Sequence, residues 1–208
     1  MKSFIANTTQ HLDARLAADE LAEQIEKNGL CKSSVAFIFC DIDCHIGEIT
    51  ALLHQRYGFD FIGQTVAGTI ERNNGYSESG ATMLVLTGDD LCLATGLTEV
   101  MVQDNALTMI QSSYENALQK IGQRPELIIN CAPSCADILD ETYVLGLDNA
   151  SDGVPVFGCL ATDHVYGRVD FVYINGTMIK NGMVFVLLSG DVKPLFSIKH
   201  RLSIKGRS

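Results

Sequence analysis

Two pairs of cysteines with the same spacing are the residues of this chain best suited to chemistry. Cys40 and Cys44 lie in the segment CDIDCH, and Cys131 and Cys135 lie in CAPSC, 91 residues further on. In each pair the first cysteine ends an apolar run of strand length, and the second follows a residue type that commonly caps a helix. The free N–H groups and the dipole of a helix N-terminus favour a thiolate. We therefore predict that Cys44 and Cys135 lie in the first turn of a helix and have lowered pKa values.

Three interpretations of these thiols remain open. In the first, they are buried residues at strand ends. In the second, each pair is a redox or ligand-capturing pair that forms a disulfide bridge within its segment. In the third, they are ligands of a metal or cofactor. In the third case Cys40, Cys44, Cys131 and Cys135 surround zinc or an iron–sulfur cluster, or haem is held by His45 or His164 with a cysteine. The C-x₃-C spacing differs from the C-x₂-C spacing that is usual for zinc.

The elements that must position these residues alternate between amphipathic helices and buried strands. Apolar residues at helical spacing predict helices at 12–28, 46–57, 106–121 and 135–147. Apolar runs predict strands at 34–40, 59–68, 81–88, 91–97, 125–132, 154–163 and 182–191, of which 34–40 and 125–132 are predicted to be buried. The segment GDD at 88–90 predicts a hairpin between the strands on either side of it.

The order of these elements repeats along the chain. The segment FDFIGQTVAG (59–68) corresponds to VPVFGCLATD (154–163), so that Gly63 falls on Gly158. We interpret this as an internal duplication with halves of roughly 1–100 and 101–200, which share one core within a single domain over 1–208. The predicted fold class is α/β, with two pseudo-symmetric halves, mixed sheets and packed helices.

Composition argues against two classes of partner. The chain has 208 residues, 47% of them hydrophobic, and a net charge of −10. Nucleic acids and anionic membranes bind basic surfaces, so neither is expected as a partner. No apolar run approaches the roughly 18 residues of a membrane-spanning helix, and no signal peptide precedes the first charged residues. We expect a cytoplasmic protein, in which the cysteines are free thiols or ligands.

Motifs of enzymes are not found. The chain has no phosphate-binding loop, no GxGxxG after a strand, no G-x-S-x-G elbow and no HExxH. We therefore predict that the protein is not an enzyme, with a thiol-dependent enzyme as the alternative.

Two glycine-containing segments resemble a known family. FIGQTVAGTI (61–70) is similar to the G-x-T-x-x-G segment of the N-terminal FIST sensory domain. GVPVFGCLATD (153–163) is similar to a second signature, P-x-x-G-G-x-A-x-D, with Cys159 in place of the second glycine.

The resemblance implies a small-ligand sensor or signal-input domain. Some members of the family are haem-binding nitric oxide sensors, and most continue into a C-terminal FIST domain that is not present in this chain. A signalling protein or a second domain is therefore expected as the partner that receives the signal. The predicted ligand-binding residues are Thr65, Gly68, Cys159, Asp163, Cys44 and Cys135.

Overall fold

The computed structural model describes residues 1–10, 12–71, 75–134, 138–162 and 170–197. Its strands and helices are, in chain order, β1 (Lys2–Thr8), α1 (Ala14–Asn28), β2 (Ser33–Cys40), α2 (Ile46–Tyr57), β3 (Asp60–Thr65), β4 (Thr69–Glu71), β5 (Gly75–Ser77), β6 (Ala81–Gly88), β7 (Leu91–Leu97), α3 (Ala106–Ile121), β8 (Leu127–Ala132), α4 (Glu141–Ser151), β9 (Val156–Leu160), β10 (Val172–Ile174), β11 (Thr177–Ile179) and β12 (Val184–Gly190). In this part of the chain no helix is both long and apolar enough to cross a membrane.

Two mixed sheets form the centre of the α/β fold. The six-stranded sheet has the order β1-β6-β2-β3-β10-β11, and the four-stranded sheet has the order β7-β12-β8-β9. In each sheet one pair is parallel, β2 with β3 and β8 with β9, and the other pairings are antiparallel. A short ribbon of β4 and β5 lies outside both sheets. The predicted α/β class with mixed sheets is confirmed.

The described elements form four layers in the order helix, sheet, sheet, helix. Helices α1 and α2 cover one face of the six-stranded sheet, and α3 and α4 cover one face of the four-stranded sheet. The other faces of the two sheets pack on each other through a central core that includes Phe37, Ile62, Val184 and Val186. Because side chains alternate along a strand, each residue of a central strand points either to a helix layer or to this central core.

Helix α1 illustrates how local sequence produces one layer. Its apolar residues recur at intervals of three and four, and those that point to the sheet are buried, as the pattern predicts. The Asp13 carboxylate caps the helix by accepting the Leu16 N–H at 3.0 Å. Gly29 ends it at a positive φ of 70°, which a residue without Cβ adopts freely. The predicted span 12–28 is thus confirmed to within two residues.

The two halves of the fold have the same strand order. The order β1-β6-β2-β3 in one sheet corresponds to β7-β12-β8-β9 in the other, and each set is covered by two helices. This is the arrangement that a duplicated unit would produce. The duplication itself stays a prediction.

The predicted hairpin at 88–90 is wrong. Strand β6 pairs with β1 and β2 in the first sheet, whereas β7 pairs with β12 in the second. The acidic turn therefore carries the chain from one sheet to the other, and the change of sheet comes at 89–90 rather than near residue 100. Both edges of β6 are already occupied by other strands, so no edge is free for β7.

Candidate functional site

The register of the strands shows which positions of the two halves are equivalent. In the first sheet Gly63 pairs with Ile38, and in the second Gly158 pairs with Asn130. At both glycines a Cβ would collide with the residue on the neighbouring strand, so the two glycines serve close strand approach in the same way. If Gly63 corresponds to Gly158, then Ile38 corresponds to Asn130, which is a shift of 92 residues.

The cysteines that end β2 and β8 are therefore not equivalent, although they are 91 residues apart. With a shift of 92, Cys40 corresponds to Ala132 and Cys131 corresponds to Phe39. A slip of one residue turns a side chain to the opposite face of a sheet. Accordingly, Cys40 packs among the residues beneath α1 and α2, and Cys131 packs in the central core between the sheets. The repeated spacing does not place these two thiols in one site.

Cys40 and Cys44, here called the Cys40 pair, lie in contact beneath the helix layer. Both side chains are buried. The Cys40 thiol donates a hydrogen bond to the Cys44 sulfur, which lowers the pKa of Cys44, and the same bond together with burial raises the pKa of Cys40 well above its ordinary value. Tyr173 adjoins the pair: burial, and then the nearby thiols, raise the pKa of its hydroxyl.

The predicted direction of the Cys44 pKa agrees with the structure, but the predicted position is wrong. Helix α2 begins at Ile46 with His45 at its N-cap, so Cys44 precedes the cap rather than following it. Residues 41–44 form a tight turn in which Asp41 accepts the Asp43 N–H with its carboxylate and the Cys44 N–H with its backbone oxygen. The helix therefore begins two residues after Cys44. The Cys40 thiol, rather than the helix N-terminus, is the main cause of the lowered pKa.

The corresponding helix of the second half begins later than predicted. Helix α4 starts at Glu141, with Asp140 at its N-cap, instead of at residue 135. Ser134 does not cap it, and the Ser134 N–H instead donates to the Asp170 carboxylate at 2.7 Å. Cys135 lies outside the described residues, and the first residue of α4 is six positions beyond it.

Gln64, Cys131 and Cys159, here called the Gln64 cluster, face the space between the two sheets. Cys131 and Cys159 are paired neighbours on the parallel strands β8 and β9. Gln64 lies on β3, beside Phe39 and Val172, whose side chains belong to the central core. The Gln64 carboxamide reaches Cys159 from the opposite sheet and partly offsets the effect of thiol burial, which raises the pKa of Cys159. Cys131 is fully buried, and burial raises its pKa strongly.

The polar end of Gln64 is not satisfied by the protein. Gln64 is 0% exposed, yet neither its Oε1 nor its Nε2 makes a hydrogen bond of normal geometry. Cys159, by contrast, is an exposed residue at the edge of the four-stranded sheet. The cluster therefore combines a buried amide, which acts on the Cys159 thiol without a hydrogen bond of normal geometry, with a strand-edge residue that is exposed. Buried polar groups without partners are rare in native proteins and commonly mark functional positions.

Thr65 has a structural role beside this cluster. Its backbone N–H donates to Phe171 O at 3.0 Å, and its hydroxyl accepts the Phe171 N–H at 3.2 Å. Its backbone oxygen accepts the Thr162 N–H at 3.0 Å. The chain leaves β9 near Thr162 and enters β10 near Phe171, so Thr65 fixes both ends of the connection between the two sheets.

The sequence of most of the chain matches one protein family. The family model of the FIST N domain matches residues 34–204, which is most of the chain. The chain belongs to the FIST N family. The resemblance carried by the two glycine-containing segments is thereby confirmed. FIST domains are sensory domains of signal transduction.

Other comparisons define the fold of this FIST N domain. A solved structure of cyanuric acid hydrolase from A. caulinodans has a similar fold, with a TM-score of 0.50 and 12% sequence identity. The similarity covers 91% of this chain and 67% of the hydrolase chain. At this identity the likeness concerns the fold alone. No curated protein matches the chain.

The described residues of this FIST N domain do not fit a metal or haem site. Cys40 and Cys44 lie on the helix side of one sheet, and Cys131 lies on the central side of the other. Within the described ranges no three or more cysteine, histidine or carboxylate side chains converge as metal ligands would. His45 is exposed at the start of α2, whereas haem needs an axial ligand within a shaped cavity.

Those of the remaining predicted ligand-binding residues that the structure describes do not join one group. Gly68 packs against the ring of Tyr76, which a Cβ at that position would strike. Asp163 and His164 lie outside the described residues, as does Cys135. Of the predicted set, Cys159 alone belongs to the Gln64 cluster, while Cys44 belongs to the Cys40 pair.

Sequence reasoning missed Gln64, although a signal was present. The segment FIGQT is a strand buried on both faces, and two uncharged polar side chains, Gln64 and Thr65, end it. A glutamine at a position that alternates with buried apolar residues has to find hydrogen bonds in the core or do without them. That conflict with the local pattern singles out Gln64.

Proposed function

We propose that this FIST N domain is a non-catalytic signal-input domain that binds a small polar ligand at the Gln64 cluster. The observation that carries the proposal is the fully buried Gln64 carboxamide, whose Oε1 and Nε2 make no hydrogen bond of normal geometry although the amide reaches the Cys159 thiol. Leaving such a group without hydrogen bonds costs about 1–3 kcal/mol, so a ligand that supplies a donor and an acceptor would recover that free energy. The exposed Cys159 marks the side from which a ligand enters.

The chemistry of the cluster defines the class of ligand. A primary carboxamide offers one acceptor and one donor group in a plane, and it pairs at two points with a group that has the same pair of functions. Amides, cyclic imides and protonated carboxylic acids have this pair. Neighbouring Phe39 and Val172 are apolar, so the rest of the ligand should be flat and weakly polar.

In a sensor, ligand binding must change the state of a partner protein or a further domain. A ligand shifts an equilibrium only as far as its affinities for two states differ. We therefore propose that a signalling protein or a further domain reads the state of this domain, and that the protein acts in the cytoplasm. Strand β9 contributes Cys159 to the cluster and has a free edge among the described strands, which makes it a reasonable route for such a signal.

The alternative is a thiol-dependent enzyme with Cys159 as nucleophile. A nucleophilic thiol needs a base or a lowered pKa, whereas burial raises the pKa of Cys159. No histidine among the described residues contributes to that shift. The observed environment therefore favours binding over catalysis.

A thermal-shift screen with amide, imide and carboxylic acid compounds, amino acids and nucleotides tests the proposal. A compound that stabilises the wild-type protein should fail to stabilise Gln64→Leu. Thr95→Val is the matched control, because the Thr95 hydroxyl is also buried without a partner but lines a separate cavity with Asp60 and Lys120. Ligand stabilisation that persists in Gln64→Leu, or is lost in Thr95→Val, would contradict the proposed site. Turnover of a screened compound would favour the enzyme.

A further inference from the structure

The Cys40 pair is built as a dithiol by the turn that follows β2. The Cys44 N–H donates to Asp41 O at 3.2 Å, and the Asp43 N–H donates to the Asp41 carboxylate at 2.7 Å. The two hydrogen bonds fold the chain back within four residues, which brings Cys44 to the end of the strand that carries Cys40. Both cysteines then join the same buried cluster, where each thiol shifts the pKa of the other. A disulfide forms without a large movement of the backbone where the two Cα atoms lie within about 7 Å and the Cβ atoms face each other, and a tight turn between the cysteines favours that approach.

The two members of the pair differ in access. Cys40 is 0% exposed and lies beneath the helices, whereas Cys44 is 5% exposed. A small neutral oxidant can therefore reach Cys44 first, and Cys40 meets only Cys44. A reactive thiol beside a buried resolving thiol is the arrangement that redox-sensing cysteines use.

We propose that the Cys40 pair is a redox modification site, at which a peroxide oxidises Cys44 and Cys40 converts the product to a disulfide. The proposal is independent of the ligand site, because the Cys40 pair lies on the helix side of its sheet and the Gln64 cluster lies on the central side. Neither site contributes a residue to the other.

The oxidation proceeds in two steps, with hydrogen peroxide as the oxidant. The Cys44 thiolate attacks one oxygen of the peroxide, so that an S–O bond forms, the O–O bond breaks and hydroxide leaves, to be protonated to water. The Cys40 sulfur then attacks the Cys44 sulfenic acid, so that the S–S bond forms, the S–O bond breaks and water leaves with the proton of the Cys40 thiol. Two thiols and one peroxide give one disulfide and two waters, with two electrons transferred to the peroxide.

The surrounding contacts connect this site to the rest of the sheet. The turn at 41–45 leads directly into α2, and the Thr50 hydroxyl of α2 accepts the Gly176 N–H at 3.0 Å. Gly176 forms the turn between β10 and β11, and β10 pairs with β3. A change in the 41–45 turn therefore reaches the strand next to Gln64 through one helix and one hairpin.

Peptide mass mapping of the full chain after treatment with hydrogen peroxide tests the inference. In the wild-type protein the peptide that contains Cys40 and Cys44 should lose two hydrogens, and dithiothreitol should restore them. In Cys40→Ser the sulfenic acid at Cys44 should persist and be trapped by dimedone, whereas Cys44→Ser should give neither product.

Two results would overturn the inference. One is a wild-type protein in which no bridge forms at peroxide concentrations that already oxidise the exposed Cys159. The other is dimedone trapping at Cys44 to the same extent in the wild type and in Cys40→Ser. The wild-type mapping is decisive by itself, so the result does not depend on how well either variant folds.

Discussion

The Cys40 pair and the Gln64 cluster are adjacent in the fold but differ in how their buried polar groups interact. In the Cys40 pair the two thiols act on each other, so that the pKa of Cys44 is lowered and the pKa of Cys40 is raised. In the Gln64 cluster the carboxamide is equally buried but has no hydrogen bond of normal geometry. A site whose groups are paired internally is suited to reaction between those groups, whereas a site with an unpaired group is suited to a ligand.

The strand register is the origin of this difference. Cys40 and Thr65 face the helices, and Gln64 faces the other sheet, because neighbouring residues on a strand alternate between faces. The Cys40 pair and the Gln64 cluster thus lie on opposite faces of the same sheet. The predictions below test whether the two sites are as different as their contacts indicate.

The largest expected contrast is in the alkylation rates of Cys159 and Cys131. These cysteines are paired neighbours, but Cys159 is exposed, and Cys131 is 1% exposed with a strongly raised pKa. Because the thiolate is the reactive form and has to meet the reagent, native Cys159 should react orders of magnitude faster than Cys131. Time-resolved labelling with mass spectrometry measures both, with exposed Cys92 as a second fast control. Similar slow rates at Cys159 and Cys131 would contradict the claim that Cys159 is an exposed entrance to the Gln64 cluster.

Removing the donor of the Cys40 pair should slow the labelling of Cys44. Its lowered pKa increases the thiolate fraction at pH 7, and Cys40→Ala deletes the hydrogen bond that causes the shift. Hydrogen bonds to charged groups contribute about 1.5–3 kcal/mol, which corresponds to a rate about 10-fold to 100-fold lower at pH 7. The pH midpoint of labelling should rise in Cys40→Ala.

Cys40→Ser is the matched control for that prediction, because its hydroxyl keeps a donor at the same position. Its pH midpoint should stay below the ordinary value for cysteine. The nearby Asp41 charge acts in the opposite direction, and so it cannot substitute for the missing donor. Equal midpoints in the alanine and serine variants would contradict the proposed cause of the shift.

Replacing Gln64 by leucine should stabilise the ligand-free protein. The substitution removes a buried polar group that has no partner, and leucine suits the apolar neighbours Phe39 and Val172. We expect a free energy of unfolding higher by about 1–3 kcal/mol, from urea denaturation. An equivalent change at a position tied into a hydrogen-bond network would destabilise the protein. A destabilised Gln64→Leu would therefore show that Gln64 has partners after all.

The smallest expected effect is that of Thr65→Val. The valine loses the hydroxyl contacts to the Phe171 backbone but keeps the shape of the side chain, so the cost should be about 1 kcal/mol. Ligand affinity should be unchanged, because Thr65 faces the helices rather than the gap between the sheets. If Thr65→Val instead lowers the ligand affinity without lowering the free energy of unfolding, Thr65 is a ligand-binding residue.

The sequence predicted the elements better than their arrangement. Apolar spacing located the helices α1, α2 and α3, because a 3.6-residue period needs no information from distant residues. The turn after β6 could not be interpreted in the same way. A hairpin and a crossing between two sheets use the same polar turn residues, and only the partners of β6 decide between them.

The candidate site shows a second limit. The spacing of 91 residues between Cys40 and Cys131 indicated equivalent thiols, but the register of Gly63 and Gly158 gives 92. A single position decides which face of the sheet a cysteine occupies, and spacing along the chain cannot supply that accuracy. Gln64 could have been recognised, because a buried polar residue within an apolar strand is visible in the sequence.

Protection of Cys159 by a bound ligand tests the central claim most directly. The alkylation rates of Cys159 and Cys92 are measured with and without a compound that stabilises the protein, in the wild type and in Gln64→Leu. Cys92 is exposed on β7, the opposite edge strand of the same sheet, and so reports effects that do not depend on the site. The account predicts a lower rate at Cys159 alone, and no protection in Gln64→Leu. Unchanged Cys159 labelling at saturating compound, or equal protection of both cysteines, would contradict it.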